Sequence, residues 1–329
     1  MTPEFPVRCH VVTGKGGTGK TTVAAALALT LAAEGRTVLL VECEGRQGIA
    51  QLFDTPPLPY EERRVAVTRG GGEVRALAID VEEALLEYLE MFYNLRRAGR
   101  ALRRMGAVDF ATTIAPGLRD VLITGKVKEA VTRRVDGRRV YDAVVVDAPP
   151  TGRITRFLNV TSEMAGLARS GPIKTQSDGV MAVIRSPQTA VHLVTLLEDM
   201  PVQETADAIA ELTAAGLPVG SVLVNMATEP ALPAAELVRA AEGRLSGADL
   251  APGLAAAGLP EDADLADALA AEVVEHAQRW AAQDALRARV HSLGRPTVEL
   301  PLLPGPMDLG CLFELAGRLE DHLGAEVAA

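Results

Sequence analysis

Nine consecutive residues, Gly14-Lys15-Gly16-Gly17-Thr18-Gly19-Lys20-Thr21-Thr22, have the types and spacing to hold a polyphosphate. The glycines let backbone N–H groups turn inward around phosphate oxygens, Lys20 can reach the β- and γ-phosphates, and the Thr21 hydroxyl can ligate Mg²⁺. The expected ligand is therefore ATP/ADP with Mg²⁺, cradled by the loop from Gly14 to Thr22. Lys15 is a second lysine near the start of the loop, where it cannot easily curl back onto the γ-phosphate of its own nucleotide. Its alternative reading is a solvated loop lysine.

Four further stretches carry chemistry. Val144-Val145-Val146-Asp147 is an aliphatic strand ending in an acid, the arrangement that places a carboxylate near Mg²⁺ and its waters. Thr21 and Asp147 are thus the expected metal ligands, and the following Ala148-Pro149-Pro150-Thr151-Gly152 has the make-up of a switch loop. Val41-Glu42-Cys43-Glu44-Gly45-Arg46-Gln47-Gly48 ends a second strand, and Glu44 is the candidate to orient or deprotonate an attacking water. Arg46 could contact phosphate or an interface; for either residue a solvated loop charge is the alternative. Asn225 ends a strand in an amide able to read a purine edge with both donor and acceptor. The rigid segment from Glu299 to Pro306, with Pro301 and Leu303, is suited to covering the base.

The elements that must position these residues are legible as apolar runs. Val7–Val12, Thr37–Cys43, Tyr141–Val146, Gly179–Ile184, Gly220–Val224 and Thr297–Leu300 read as strands without clean alternation, as in a parallel sheet buried on both faces. Helical stretches between them imply right-handed βαβ crossovers and a doubly wound α/β sheet of the P-loop NTPase type. Val65–Thr68 and Val74–Ile79, joined through Gly70-Gly71-Gly72, read as a hairpin or edge pair. Asp80 followed by Glu83 is a capping-box pattern opening a helix at Val81. One domain over residues 1–329 is expected, with helical insertions at about 81–115 and 231–290 forming a subdomain. In the first, Leu85, Leu86, Leu89, Phe92, Tyr93 and Leu95 make an apolar face, which could hold an apolar client but whose common explanation is packing against the sheet or a partner.

Composition narrows the partners. A net charge of −10 and a pI near 5.1 give no electrostatic footprint for nucleic acid, so none is expected as a partner. Local arginine clusters at 96–104 and 133–139 read as solvated faces. Cys9, Cys43 and Cys311 are far apart and without a C-x-x-C pair, so neither zinc nor a disulfide framework is expected. No secretory signal and no membrane-length apolar run stand out, which gives a cytoplasmic expectation.

Together these pieces resemble the anion-transporting ATPase family of the deviant-Walker-A class, which contains arsenical-pump ATPases and the ATPases that target tail-anchored membrane proteins. Gly14–Thr22 matches its signature loop, and Asp147–Gly152 with the following Arg153–Leu158 matches its second switch. Ala115–Leu118 resembles its Pro-Gly segment, and Val224-Asn225 with Leu300–Leu303 resembles its base-binding elements. The resemblance implies an ATPase working as a dimer, with two nucleotides at the interface and Lys15 contacting the opposite subunit's phosphates. Homodimer and heterodimer with a paralogous ATPase are both open, as is a protein client or a membrane-associated partner. The chain departs from the family at Glu44-Gly45-Arg46-Gln47, where Asp-Pro-Ala-His is usual, and at Arg153, where histidine is common. It also lacks the metalloid-binding cysteines and the zinc clasp. An ATP-gripping scaffold or regulatory subunit of a heterodimer with little turnover, a partitioning-type ATPase and, more distantly, a small-molecule kinase are the competing readings.

Overall fold

The computed structural model describes residues 7–93, 117–159, 172–230, 232–260 and 262–327. Eight strands make its central sheet: β1 (Cys9–Gly14), β2 (Thr37–Glu42), β3 (Arg63–Val67), β4 (Glu73–Ala78), β7 (Ala143–Asp147), β8 (Thr189–Thr195), β9 (Val219–Ala227) and β10 (Thr297–Pro301). The short β5 (Arg134–Val135) and β6 (Arg138–Arg139) pair only with each other. The order across the sheet is β10-β9-β8-β1-β7-β2-β4-β3, and β3 alone runs antiparallel to its neighbour, as the expected edge hairpin.

The strands are apolar throughout because both faces are covered. Along β2, Val38 and Leu40 face one core while Leu39 and Val41 face the other. The first core is closed by α1 (Lys20–Leu31) and the C-terminal α11 (Leu309–Val327), which contributes Leu312, Leu315 and Leu319. Burial on nearly every side explains why α1 is an Ala/Leu helix without a polar stripe. The second core is closed by α3 (Val81–Tyr93), α4 (Leu118–Thr132), α5 (Thr151–Leu158), α6 (Pro172–Ile184) and α7 (Asp199–Ala214). A short α2 (Gly48–Leu52) follows β2. The result is the mostly parallel, doubly wound α/β sheet of a P-loop NTPase.

One expected strand is corrected. Gly179–Ile184 lies in α6, where Val180, Met181 and Ile184 fall on one buried helical stripe, and the strand is Thr189–Thr195 instead. The helix at Val81 stands as expected, with the Glu83 amide donating to Asp80 Oδ1 at 2.9 Å. Its Leu85 is buried, and Leu86 and Leu89 pack on the same core, so this part of the apolar face is internal. Leu95, the arginine cluster at 96–104, Ala115 and Pro116 lie outside the described residues.

The second helical stretch comprises α8 (Ala234–Ala241), α9 (Gly247–Ala256) and α10 (Ala263–His291). Leu237, Ala240 and Ala277, with Trp280 packed beside them, form a small apolar cluster of their own. At 29 residues α10 is about 43 Å long. It is started by Asp262, whose carboxylate accepts from the Asp264 and Leu265 amides. No described helix is long and apolar enough to cross a membrane.

Candidate nucleotide site

The loop between β1 and α1 lies at the C-terminal edge of the sheet, where open α/β sheets bind ligands. Gly14 runs against β8 so closely that a Cβ there would sit 2.2 Å from the Val194 carbonyl oxygen. Gly19 has φ 81°, and a Cβ on it would meet Asn225 Nδ2 at 2.4 Å. The α1 N-terminus that follows has no side-chain cap and no acid in its first turn. Its leading N–H groups lack intrahelical partners, so this end of the helix is built to accept an anion. Around Gly16 and Gly17 there is open space. These features fit a bound polyphosphate.

Inside the loop, the Lys15 carbonyl accepts from Thr18 Oγ1 at 2.9 Å and from Lys20 Nζ at 3.3 Å. Burial lowers the Lys20 ammonium pKa, against the pull of Asp147 and Glu44 and with the help of Arg46. Thr21 Oγ1 donates to Asp147 Oδ2 at 2.7 Å, joining the first turn of α1 to the end of β7. Burial pushes the Asp147 carboxyl up to about 6, opposed by the Thr21 hydroxyl and Lys20. A hydroxyl and a carboxylate at this spacing form a hard-oxygen donor set of the kind Mg²⁺ prefers. The adjacent Thr13 Oγ1 donates to the Pro149 carbonyl at 2.7 Å, fixing the start of the Ala148–Gly152 segment.

The loop that follows β2, from Cys43 to Gln47, is organised by a residue that the sequence reading passed over. Glu42, in register with Asp147 on the adjacent strand, is only 2% exposed. Its carboxylate accepts the Gln47 amide at 2.5 Å and the Ile49 amide at 3.2 Å, folding the loop back on β2. Gln47 sits at φ 59° and clamps Leu58 through both ends of its side-chain amide, Oε1 at 2.7 Å and Nε2 at 3.1 Å. Glu44 stands close enough to act on Lys20 electrostatically, and its carboxylate pairs with Arg46 at 3.3 Å. An acid at the end of the otherwise aliphatic run Val38–Val41 was the available signal for Glu42.

Asn225 is buried and donates its Nδ2 to the Thr18 carbonyl at 2.9 Å, holding the phosphate loop in this structure. Met226 follows at φ 53°. A cavity of about 630 Å³ opens here, lined by Leu197, Met226, Thr228, His276, Gln283 and Leu302 among others. Leu302 lines it, whereas Leu303 packs on the core behind and Pro301 is buried at the end of β10. The Leu302 amide donates to the Ala227 carbonyl at 3.0 Å, tying the Pro-rich segment to β9. The α10 residues were not anticipated: Gln283 Oε1 accepts the Thr228 amide at 3.1 Å and Arg287 Nη2 donates to the Thr228 carbonyl at 3.1 Å.

Lys15 does not fold into its own loop. Its Nζ lies 2.8 Å from Glu204 Oε1 on α7, and Glu204 Oε2 accepts from Thr151 Oγ1 at 3.5 Å. No local sequence signal marks Glu204, because the contact joins distant parts of the chain.

The sequence pattern of the anion-transporting ATPase family matches residues 7–185. The chain is 58% identical to the ATPase BagA of Mycobacterium tuberculosis over 315 residues, spanning 95% of this chain and 92% of that protein. It is 26% identical to the arsenical pump-driving ATPase of Acidiphilium multivorum over 65% of this chain and 38% of that one. It is also 28% identical to the ATPase get3 of Schizosaccharomyces japonicus, over 52% and 51% of the two chains. With a site of this geometry on a sheet of this order, the chain belongs to the anion-transporting ATPase family.

Proposed function

We propose that this chain is an Mg²⁺-dependent ATPase that works as a dimer and couples its nucleotide state to the binding of a client or partner. The observation that carries the reading is the Thr21–Asp147 contact of 2.7 Å beside the uncapped α1 N-terminus. It brings a hydroxyl, a carboxylate and helix N–H groups to one point, with the Lys20 ammonium in the same loop. Gly14 through Thr22 would bind the phosphates, and Thr21 and Asp147 would hold the metal. Bound there, Mg²⁺ would neutralise charge on the β- and γ-phosphate oxygens.

The remaining steps belong to the chain's own side chains. Lys20 stabilises charge on its own nucleotide. Lys15 reaches the phosphates of the neighbouring subunit, where a preorganised cation stabilises the transition state. Glu44 orients the attacking water, and Asn225 with the segment at Pro301–Leu303 borders the base. The partner is a second copy or a paralogous ATPase.

Steady-state phosphate release tests the reading. Lys20→Ala is expected to abolish turnover and Glu44→Ala to reduce it by at least ten-fold. A specific observation favours a second reading: Glu44 is engaged by Arg46 at 3.3 Å, which suits a scaffold that grips ATP with little turnover. Wild-type turnover equal to that of both variants, with nucleotide still bound, establishes the scaffold instead.

A further inference from the structure

The Lys15–Glu204 contact sits where three elements meet, the phosphate loop, α7 and the start of α5. The backbone of Lys15 is held by the phosphate loop, through hydrogen bonds to its carbonyl from Thr18 and Lys20. Its ammonium is held by α7, through Glu204 Oε1 at 2.8 Å. The second carboxylate oxygen reaches Thr151 Oγ1 at 3.5 Å, and Thr151, within the candidate switch segment Ala148–Gly152, is the buried first residue of α5.

One ammonium cannot hold two anions at full contact in different places. A Lys15 that pairs with Glu204 at 2.8 Å is withheld from any phosphate beyond its own subunit. The lysine stem is flexible, so the ammonium can swing between an internal and an external anion without moving the loop backbone. Glu204 is also the only group among these that touches both Lys15 and the switch. Side chains 32% and 36% exposed make a contact that biases the ammonium without locking it.

We infer that Glu204 is a positioning residue that parks Lys15 inside its own subunit and, through Thr151, releases it when the second switch moves. This rests on the proposed role of Lys15 at a neighbouring subunit's phosphates. Glu204 touches no phosphate; it sets how often Lys15 is available.

The test uses the full chain and two measurements. In the nucleotide-free protein, trace acetylation of Lys15 is followed by mass spectrometry, with Lys126 and Lys128 as internal references. Glu204→Gln is expected to raise Lys15 labelling about three-fold and leave the references unchanged. Phosphate release is then measured against protein concentration, alone and with the paralogous subunit where one exists. Glu204→Gln is expected to lower the half-maximal concentration by a similar factor, and the shift should vanish in the Lys15→Gln background. Glu204→Asp keeps the charge but shortens the reach, and should show part of both effects if Glu204→Gln proves insoluble.

Unchanged Lys15 labelling overturns the inference. So does a concentration shift that persists in Lys15→Gln, because that would be a structural effect of α7. If Lys15→Gln alone leaves turnover at the wild-type level, the underlying role of Lys15 falls. If Lys15→Gln lowers turnover while Glu204→Gln is silent in both measurements, only the role of Glu204 falls.

Discussion

Two polar clusters adjoin β1, a buried one shared with β8 and a half-buried one at its C-terminal end, and they behave differently. In the first, His10 of β1 and His192 of β8 stack with rings 9° from parallel and Nδ1···Nε2 at 3.1 Å. The Ser221 amide donates to His192 Nδ1 at 3.3 Å, so His192 must carry its proton on Nε2 and donate it to His10. At the C-terminal edge, Lys15, Lys20, Thr21 and Asp147 are held only by side-chain contacts or by a shared loop carbonyl. The first cluster is held by the Ser221 backbone amide and by the contact between its own two rings. The second consists of partners that a phosphate or a metal ion can replace. Polarity alone does not mark a site; exchangeable partners beside open space do.

The largest expected effect follows from the open cluster. Asp147→Asn keeps the side chain's size and can still accept from Thr21, but removes the charge that faces Lys20 and the proposed metal. Phosphate release is expected to fall by about 100- to 1000-fold, the scale of losing one preorganised charge-stabilising group. The comparison breaks if turnover falls less than about ten-fold.

Glu42 tests the boundary between the two kinds of cluster. It stands at the C-terminal edge of the sheet in register with Asp147, yet its partners are the Gln47 and Ile49 amides, which no other described group satisfies. Glu42→Ala leaves those donors without an acceptor in a buried place and should lower unfolding free energy by about 2–4 kcal/mol, read from denaturant melts. A change below about 0.5 kcal/mol would move Glu42 into the exchangeable group.

The histidine pair gives a pH dependence of definite sign. Burial holds both imidazoles well below the ordinary histidine range, and for His10 the neighbouring His192 adds to the effect. The unfolded chain therefore binds protons that the folded chain refuses. Stability is fully present above about pH 6.5 and is lost as pH falls below it, by at most about 1.4 kcal/mol per pH unit for each histidine. Comparing denaturant midpoints at pH 7.5 and 5.5 for wild type and the His10→Asn/His192→Asn variant measures it; an equal loss in both assigns the acid sensitivity to carboxylates.

These contrasts explain what the sequence could and could not reveal. The open cluster was legible because a phosphate loop is local: Gly14–Thr22 lies in one stretch, and Asp147 ends an aliphatic run. Most of the sheet was legible for the same reason. β8 was missed because His192 interrupts its apolar run, while the run at Gly179–Ile184 looks like a short buried strand but turns with helical period. Glu204 and Gln283 were invisible because their partners are distant in sequence and reach the site only when the sheet and helices pack.

The smallest effect is expected at Arg46. Its side chain is 76% exposed, and its contact with Glu44 at 3.3 Å lies on the rim of the open cluster. Exposed pairs of this kind contribute little, so Arg46→Ala should change unfolding free energy by less than about 0.5 kcal/mol. Turnover is the sharper measurement. If Arg46 only shades Glu44, phosphate release changes by less than about three-fold in either direction. A rise of ten-fold or more would mean that Arg46 withholds Glu44 from the attacking water, as Glu204 is inferred to withhold Lys15. A comparable fall would make Arg46 a phosphate contact, and would place it with Lys20 and Asp147 among the groups whose partners exchange.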